Sequence, residues 1–123
     1  MKLRVLSDKY TKRFSTPSVA ISFRLKRITM NKHAFKMISK KFGSEVQYMQ
    51  ILLDDDAQGV FYLKPCLESD DSAKKLDKTS PGTRSLQISL LLKELGWSKE
   101  ETTRFMGQWD EEVHALKVDT TES

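Results

Sequence analysis

The amino-acid sequence predicts an α+β fold in which two β-α-β-β units share one core. Three observations predict it. Apolar residues alternate with polar ones after the basic start of the chain, two amphipathic segments end at Gly43 and Gly96, and the same order of elements occurs over residues 27–64 and 84–117. Neither unit could bury an open sheet face alone, so each is expected to cover the other. At 123 residues the chain has room for one core, because domains commonly run to roughly 100–150 residues. The expected organisation is a basic arm over residues 1–16, a single domain over 17–119 and a tail over 120–123.

The first strand is read from residues 18–27, where Val19, Ile21, Phe23 and Leu25 alternate with Ser18, Ala20, Ser22, Arg24 and Lys26. Ile28, Thr29 and Met30 extend it. Asn31 then offers an N-cap oxygen to a helix over 32–41, with Gly43 as its stop. Phe35, Ile38 and Phe42, joined by Ala34 and Met37, recur at spacings of three and four, which sends Lys32, Lys36 and Lys40 to the opposite side. Residues 46–54 and 60–64 are rich in β-branched and aromatic side chains and predict a hairpin closed by the polar loop 54–59.

Residues 67–83 are polar, lack periodicity and lead into Ser80-Pro81-Gly82, which predicts a mobile surface connector. Beyond it, residues 84–87 read as a short strand. Residues 88–95 read as a short helix with Leu91, Leu92 and Leu95 inward and Gly96 as its cap. The last third carries two readings. Ser98 to Glu101 has the form of a capping box, with Phe105, Trp109, Val113 and Leu116 at helical spacing. Alternatively, residues 104–109 and 113–118 form a hairpin around the acidic turn Asp110-Glu111-Glu112. The hairpin is preferred, because Gly107 would cost a helix interior roughly 1 kcal/mol relative to alanine.

Charge is distributed unevenly. Residues 1–50 hold twelve basic side chains against Asp8 and Glu45, a net of +10, whereas residues 51–123 hold nine against fifteen acidic ones, a net of −6. A basic half of this kind favours an anionic partner through counterion release and steering. It is equally the pattern of a solvated surface or of two halves that attract each other. Arg24, Lys26 and Arg27 close the expected first strand, and Lys32, Lys36, Lys40 and Lys41 follow along the helix. Together they form the candidate nucleic-acid-binding surface, one that tracks phosphates and carries little base information.

Catalytic signatures are weak. Residues 54–59 place oxygens where a calcium loop would, yet the twelfth position is Pro65 where that loop needs a glutamate, so a solvated turn is expected and no metal. Cys66 is the sole cysteine, which precludes an intrachain disulfide and fits a reducing compartment. His33 and His114 stand in no recognisable motif. No phosphate-cradling glycine loop, zinc spacing or paired carboxylate is found, so neither an enzyme nor a bound cofactor is expected. Residues 1–13 are basic without the apolar segment of a secretory signal, and no run would span a bilayer, so a cytoplasmic protein without a membrane partner is expected.

Residues 27–35, 46–54 and 60–65 together resemble a pattern seen in uncharacterised bacterial and phage proteins, and also AbrB-type swapped-hairpin regulators, where a strand leads to a short helix and then a hairpin. The resemblance covers about a third of the chain and rests on hydrophobic patterning. It implies a DNA-binding, transcription-regulatory or antitoxin-like protein that forms a homodimer, with Arg24, Lys26, Arg27 and Lys32 at the matching positions. The long connector and acidic second half depart from it. The expectation is therefore a nucleic-acid-binding protein, with a non-enzymatic module that engages a protein partner, of phage or mobile-element origin, as the alternative.

Overall fold

Val19 and Ile21 are inaccessible to solvent, as alternation requires, but the strand that carries them ends at once. In the computed structural model, which describes residues 16–80, 82–97 and 99–121, β1 (Ser18–Ser22) turns back into β2 (Arg27–Met30). The Ser22 hydroxyl accepts the Leu25 N–H at 3.2 Å, and Lys26 takes a left-handed φ of 53°. Phe23 and Leu25, expected inside, therefore lie exposed in the turn. The pairing Val19↔Met30 and Ile21↔Ile28 sets four buried side chains on one face of the hairpin.

Asn31 ends β2 and starts α1 (Lys32–Phe42). Its side-chain oxygen accepts from the Ala34 N–H at 2.8 Å and from the Ser18 N–H at 3.1 Å, so one side chain caps the helix and fastens it to β1. Gly43, at φ 94°, returns its N–H to the Ser39 carbonyl and stops the helix. Ala34, Phe35 and Ile38 are buried, and the helix covers one end of the sheet.

The hairpin of β3 (Tyr48–Leu53) and β4 (Val60–Cys66) follows as expected. β5 (Lys74–Lys75) and β6 (Asp77–Ser80) come next, then β7 (Thr83–Gln87) and α2 (Ser89–Leu95), which buries Leu91 and Leu92. β8 (Thr103–Asp110) and β9 (Ala115–Asp119) are paired antiparallel, which resolves the last third as a hairpin. The basic arm expected over residues 1–16 lies, apart from Thr16, outside the described residues.

The α+β expectation is overturned. The described residues are mostly antiparallel β, in one nearly closed, barrel-like sheet of nine strands ordered β5-β3-β4-β9-β8-β1-β2-β7-β6. Two β-α-β-β units packed face on face do not describe it. β1, β5 and β6 belong to neither unit, and β8 runs between β1 and β9, so the nine strands of the described residues join a single curved sheet. The swapped-hairpin fold class falls with this expectation.

The sheet closes where sequence reading placed a connector. β5 pairs with β3 on one edge and β6 pairs with β7 on the other, and only Leu76 separates them. The Leu76 N–H donates to the Gln47 carbonyl at 2.9 Å while its side chain is 7% exposed and joins the core. Residues 74–80 therefore form both edges. Inside, Phe61, Leu63, Leu116 and Val118 from β4 and β9 meet Val19, Ile28, Leu86 and Phe105. Among the described residues no helix is long and apolar enough to cross a membrane.

Candidate functional site

The structure divides the seven expected site residues into three sets. Arg24 and Lys26 are exposed in the β1–β2 turn, whereas α1 begins at the far end of β2. Four residues at about 3.3 Å each put roughly 13 Å of strand between them. Arg27 and Lys41 already have anionic partners. The Arg27 guanidinium bonds the Asp77 carboxylate and the Ser85 hydroxyl, tying β2 to β6 and β7. Lys41 Nζ lies 2.9 Å from Glu111 Oε1. That hydrogen bond holds the Glu111 carboxyl below the usual carboxylate range.

Lys32, Lys36 and Lys40 form the third set. All are exposed on the solvent side of α1, and among the described residues none makes an ion pair. Successive charges are about 6 Å apart along a helix that rises 1.5 Å per residue. Lys41, one residue on from Lys40 and so about 100° further round the helix, points instead toward the acidic β8–β9 turn, where it meets Glu111.

The same side of α1 abuts the β6–β7 turn. A Cβ at Gly82 would lie 2.9 Å from the Lys32 Cβ, so helix and turn are in direct contact. One helical turn further on, Phe35 supports the Arg84 guanidinium, whose carbon lies 4.2 Å from the ring centroid. Arg84 stands in register with Met30, on the inward face of β7, and is 7% exposed. Its Nη1 donates to the Thr83 carbonyl at 2.9 Å, and its Nη2 donates to Glu45 Oε1 at 3.0 Å. The Glu45 side chain is itself 62% exposed.

Beside Arg84, at the closure of the sheet, opens a cavity of about 260 Å³ lined by Glu45, Val46, Gln47, Lys75, Leu76, Lys78 and Arg84. Sequence reading missed it, and one signal was available. Ile88, Leu86 and Arg84 share strand parity, so a cation occupies an apolar position. A larger groove of about 560 Å³, with Ile51, Leu53, Leu90 and Leu91 in its walls, lies toward the opposite, α2-covered end.

Elsewhere the one cysteine is shielded. Cys66 ends β4 at 6% exposure, and burial together with nearby Asp70 pushes its thiol pKa up. His114, at φ 57°, belongs to the β8–β9 turn. Asp54 spends a side-chain oxygen on the Asp56 N–H at 2.9 Å, which builds the β3–β4 turn. No family model matches the chain, and no curated protein or solved structure matches it either.

Proposed function

We propose that the protein binds nucleic acid through the phosphate backbone, using the Lys32, Lys36 and Lys40 side of α1, and that it acts by docking without a chemical step. The row of three unpaired lysines on one rigid helix face carries this reading. Arg27 and Lys41 are left out, because Asp77 and Glu111 already neutralise them. Arg24 and Lys26 are left out because they lie at the other end of β2.

Three phosphate contacts give a salt slope of about −2.7, so affinity for duplex DNA should fall roughly 40-fold between 50 and 200 mM salt. Fluorescence anisotropy with labelled duplex, single-stranded DNA and RNA measures it. Replacing Lys32, Lys36 and Lys40 together by alanine should weaken binding at low salt at least about tenfold and flatten the slope by nearly three. Replacing Arg24 and Lys26 should leave both nearly unchanged. An unaltered slope in the triple variant, or no binding at low salt, refutes the proposal.

The absence of a chemical step has its own test. The raised pKa and burial of Cys66 favour a protonated, shielded thiol. Native protein should react with iodoacetamide at pH 8 about tenfold or more slowly than the urea-unfolded chain. Equal rates would show an accessible thiolate and reopen the case for a nucleophile.

A further inference from the structure

We infer that the cavity at the closure of the sheet is a binding site for a phosphomonoester, with Glu45 as the internal anion that the ligand displaces. Arg84 is the reason. A guanidinium so deeply buried needs an anionic partner, and here that partner is the carboxylate of Glu45, itself an exposed side chain between α1 and β3. The rest of the guanidinium is held still by the Thr83 carbonyl and the Phe35 ring. The cation is thus preorganised while its anion sits on the surface and can swing away.

Charge selects the ligand class. Lys75, Lys78 and Arg84 face the single carboxylate of Glu45 around the cavity, an excess of two positive charges that becomes three once Glu45 is displaced. Asp77, which lies between Lys75 and Lys78 in the chain, is already held by Arg27. A phosphomonoester carries about −1.5 to −2 at neutral pH and offers three acceptor oxygens, whereas a ligand carboxylate would only replace the charge that Glu45 gives up. Size agrees. Cavities that enclose drug-sized ligands run to about 300–1,000 Å³, and this one, at about 260 Å³, suits a phosphate with the sugar that bears it. Gln47, in the wall, supplies a neutral amide for such a sugar.

This site is separate from the lysine row of α1 and stands or falls independently of it. The same chemistry could arrive as a free sugar phosphate or as the terminal phosphate of a nucleic-acid strand. Isothermal titration with inorganic phosphate and with ribose 5-phosphate, at constant ionic strength set by chloride, is the first arm. Saturable binding is expected, weakened about tenfold or more in Lys75→Ala and Lys78→Ala. In Glu45→Gln it should be tightened about tenfold, the loss of one competing charged hydrogen bond. The variant lacking Lys32, Lys36 and Lys40 should bind phosphate as the wild type does.

The second arm compares single strands ending in a 5′-phosphate or a 5′-hydroxyl. At least tenfold preference for the phosphorylated strand assigns the ligand to a strand end, while equal binding with saturable ribose 5-phosphate assigns it to a free monoester. No saturable response to either phosphate probe, in wild type and in Glu45→Gln alike, overturns the inference. It does so even if oligonucleotides still bind through α1.

Discussion

Leu76→Ala lowers the free energy of unfolding by about 2–5 kcal/mol, the range of a leucine truncated in a packed interior. That is a large share of the roughly 5–15 kcal/mol that holds a domain together. The reason is position. Leu76 is the buried side chain among residues 74–79, and its N–H bond to Gln47 fastens β5 and β6 at the point where the two sheet edges meet. Without the isobutyl group, the pairing of β5 with β3 rests on only two residue pairs, between strands that are exposed at Lys74 and Lys75. Urea denaturation should show the midpoint falling in Leu76→Ala, while Lys74→Ala stays within about 0.5 kcal/mol of the wild type, as an exposed substitution should. Comparable midpoints for both variants would mean that the segment lies on a barrel that holds without it.

Gly107→Val is the second large effect, and two opposing contributions decide its sign. Valine suits a strand better than glycine, by up to about 1 kcal/mol. Against this, Gly107 is in register with Val118 on the inward face of β8, and an added Cβ would lie 2.8 Å from both Cδ atoms of Leu116. Leu116 is wholly buried and cannot swing away into solvent. Overpacking of this kind costs about 1–3 kcal/mol, and a branched side chain falls at the upper end, so destabilisation wins. Leu116→Val, which removes bulk from the same contact, should recover part of the loss in the double variant, with a coupling of about 0.5–3 kcal/mol in thermal or urea unfolding. Strict additivity of the two changes would show that the contact is not the cause.

How far the sequence could be read depended on whether local chemistry decided the outcome. α1 was legible because Asn31, the spacing of Ala34, Phe35 and Ile38, and Gly43 all act within the helix itself. The hairpins β3–β4 and β8–β9 were legible for a similar reason, since their alternation and acidic turns are local. The β1–β2 turn was not, because apolar alternation continues through Phe23 and Leu25 and no glycine, proline or asparagine marks the reversal. The closure was hidden further still. Lys74, Lys75, Asp77, Lys78 and Thr79 surround a single apolar residue, and what makes them strands is the exposed backbone of β3 and β7, far away in sequence. Misplacing that segment turned a single antiparallel sheet into two units.

The candidate site followed the same division. The lysine row of α1 came from helix periodicity, which is local, whereas the loss of Arg27 to Asp77 and of Lys41 to Glu111 depends on contacts across fifty and seventy residues. Arg84 escaped notice because its partners, Phe35 and Glu45, lie on a different part of the chain.

Because the stretch from Lys74 to Ser80 guards β3 on one side and β7 on the other, the amide protons those two strands bond to it are protected by one latch. Their exchange with deuterated water should rise together, as a single opening event, whenever the latch swings free. Such an opening would also bare two unpaired strand borders at once, which is the state most prone to join another chain. Lysines along the latch place like charges on any copy that tries.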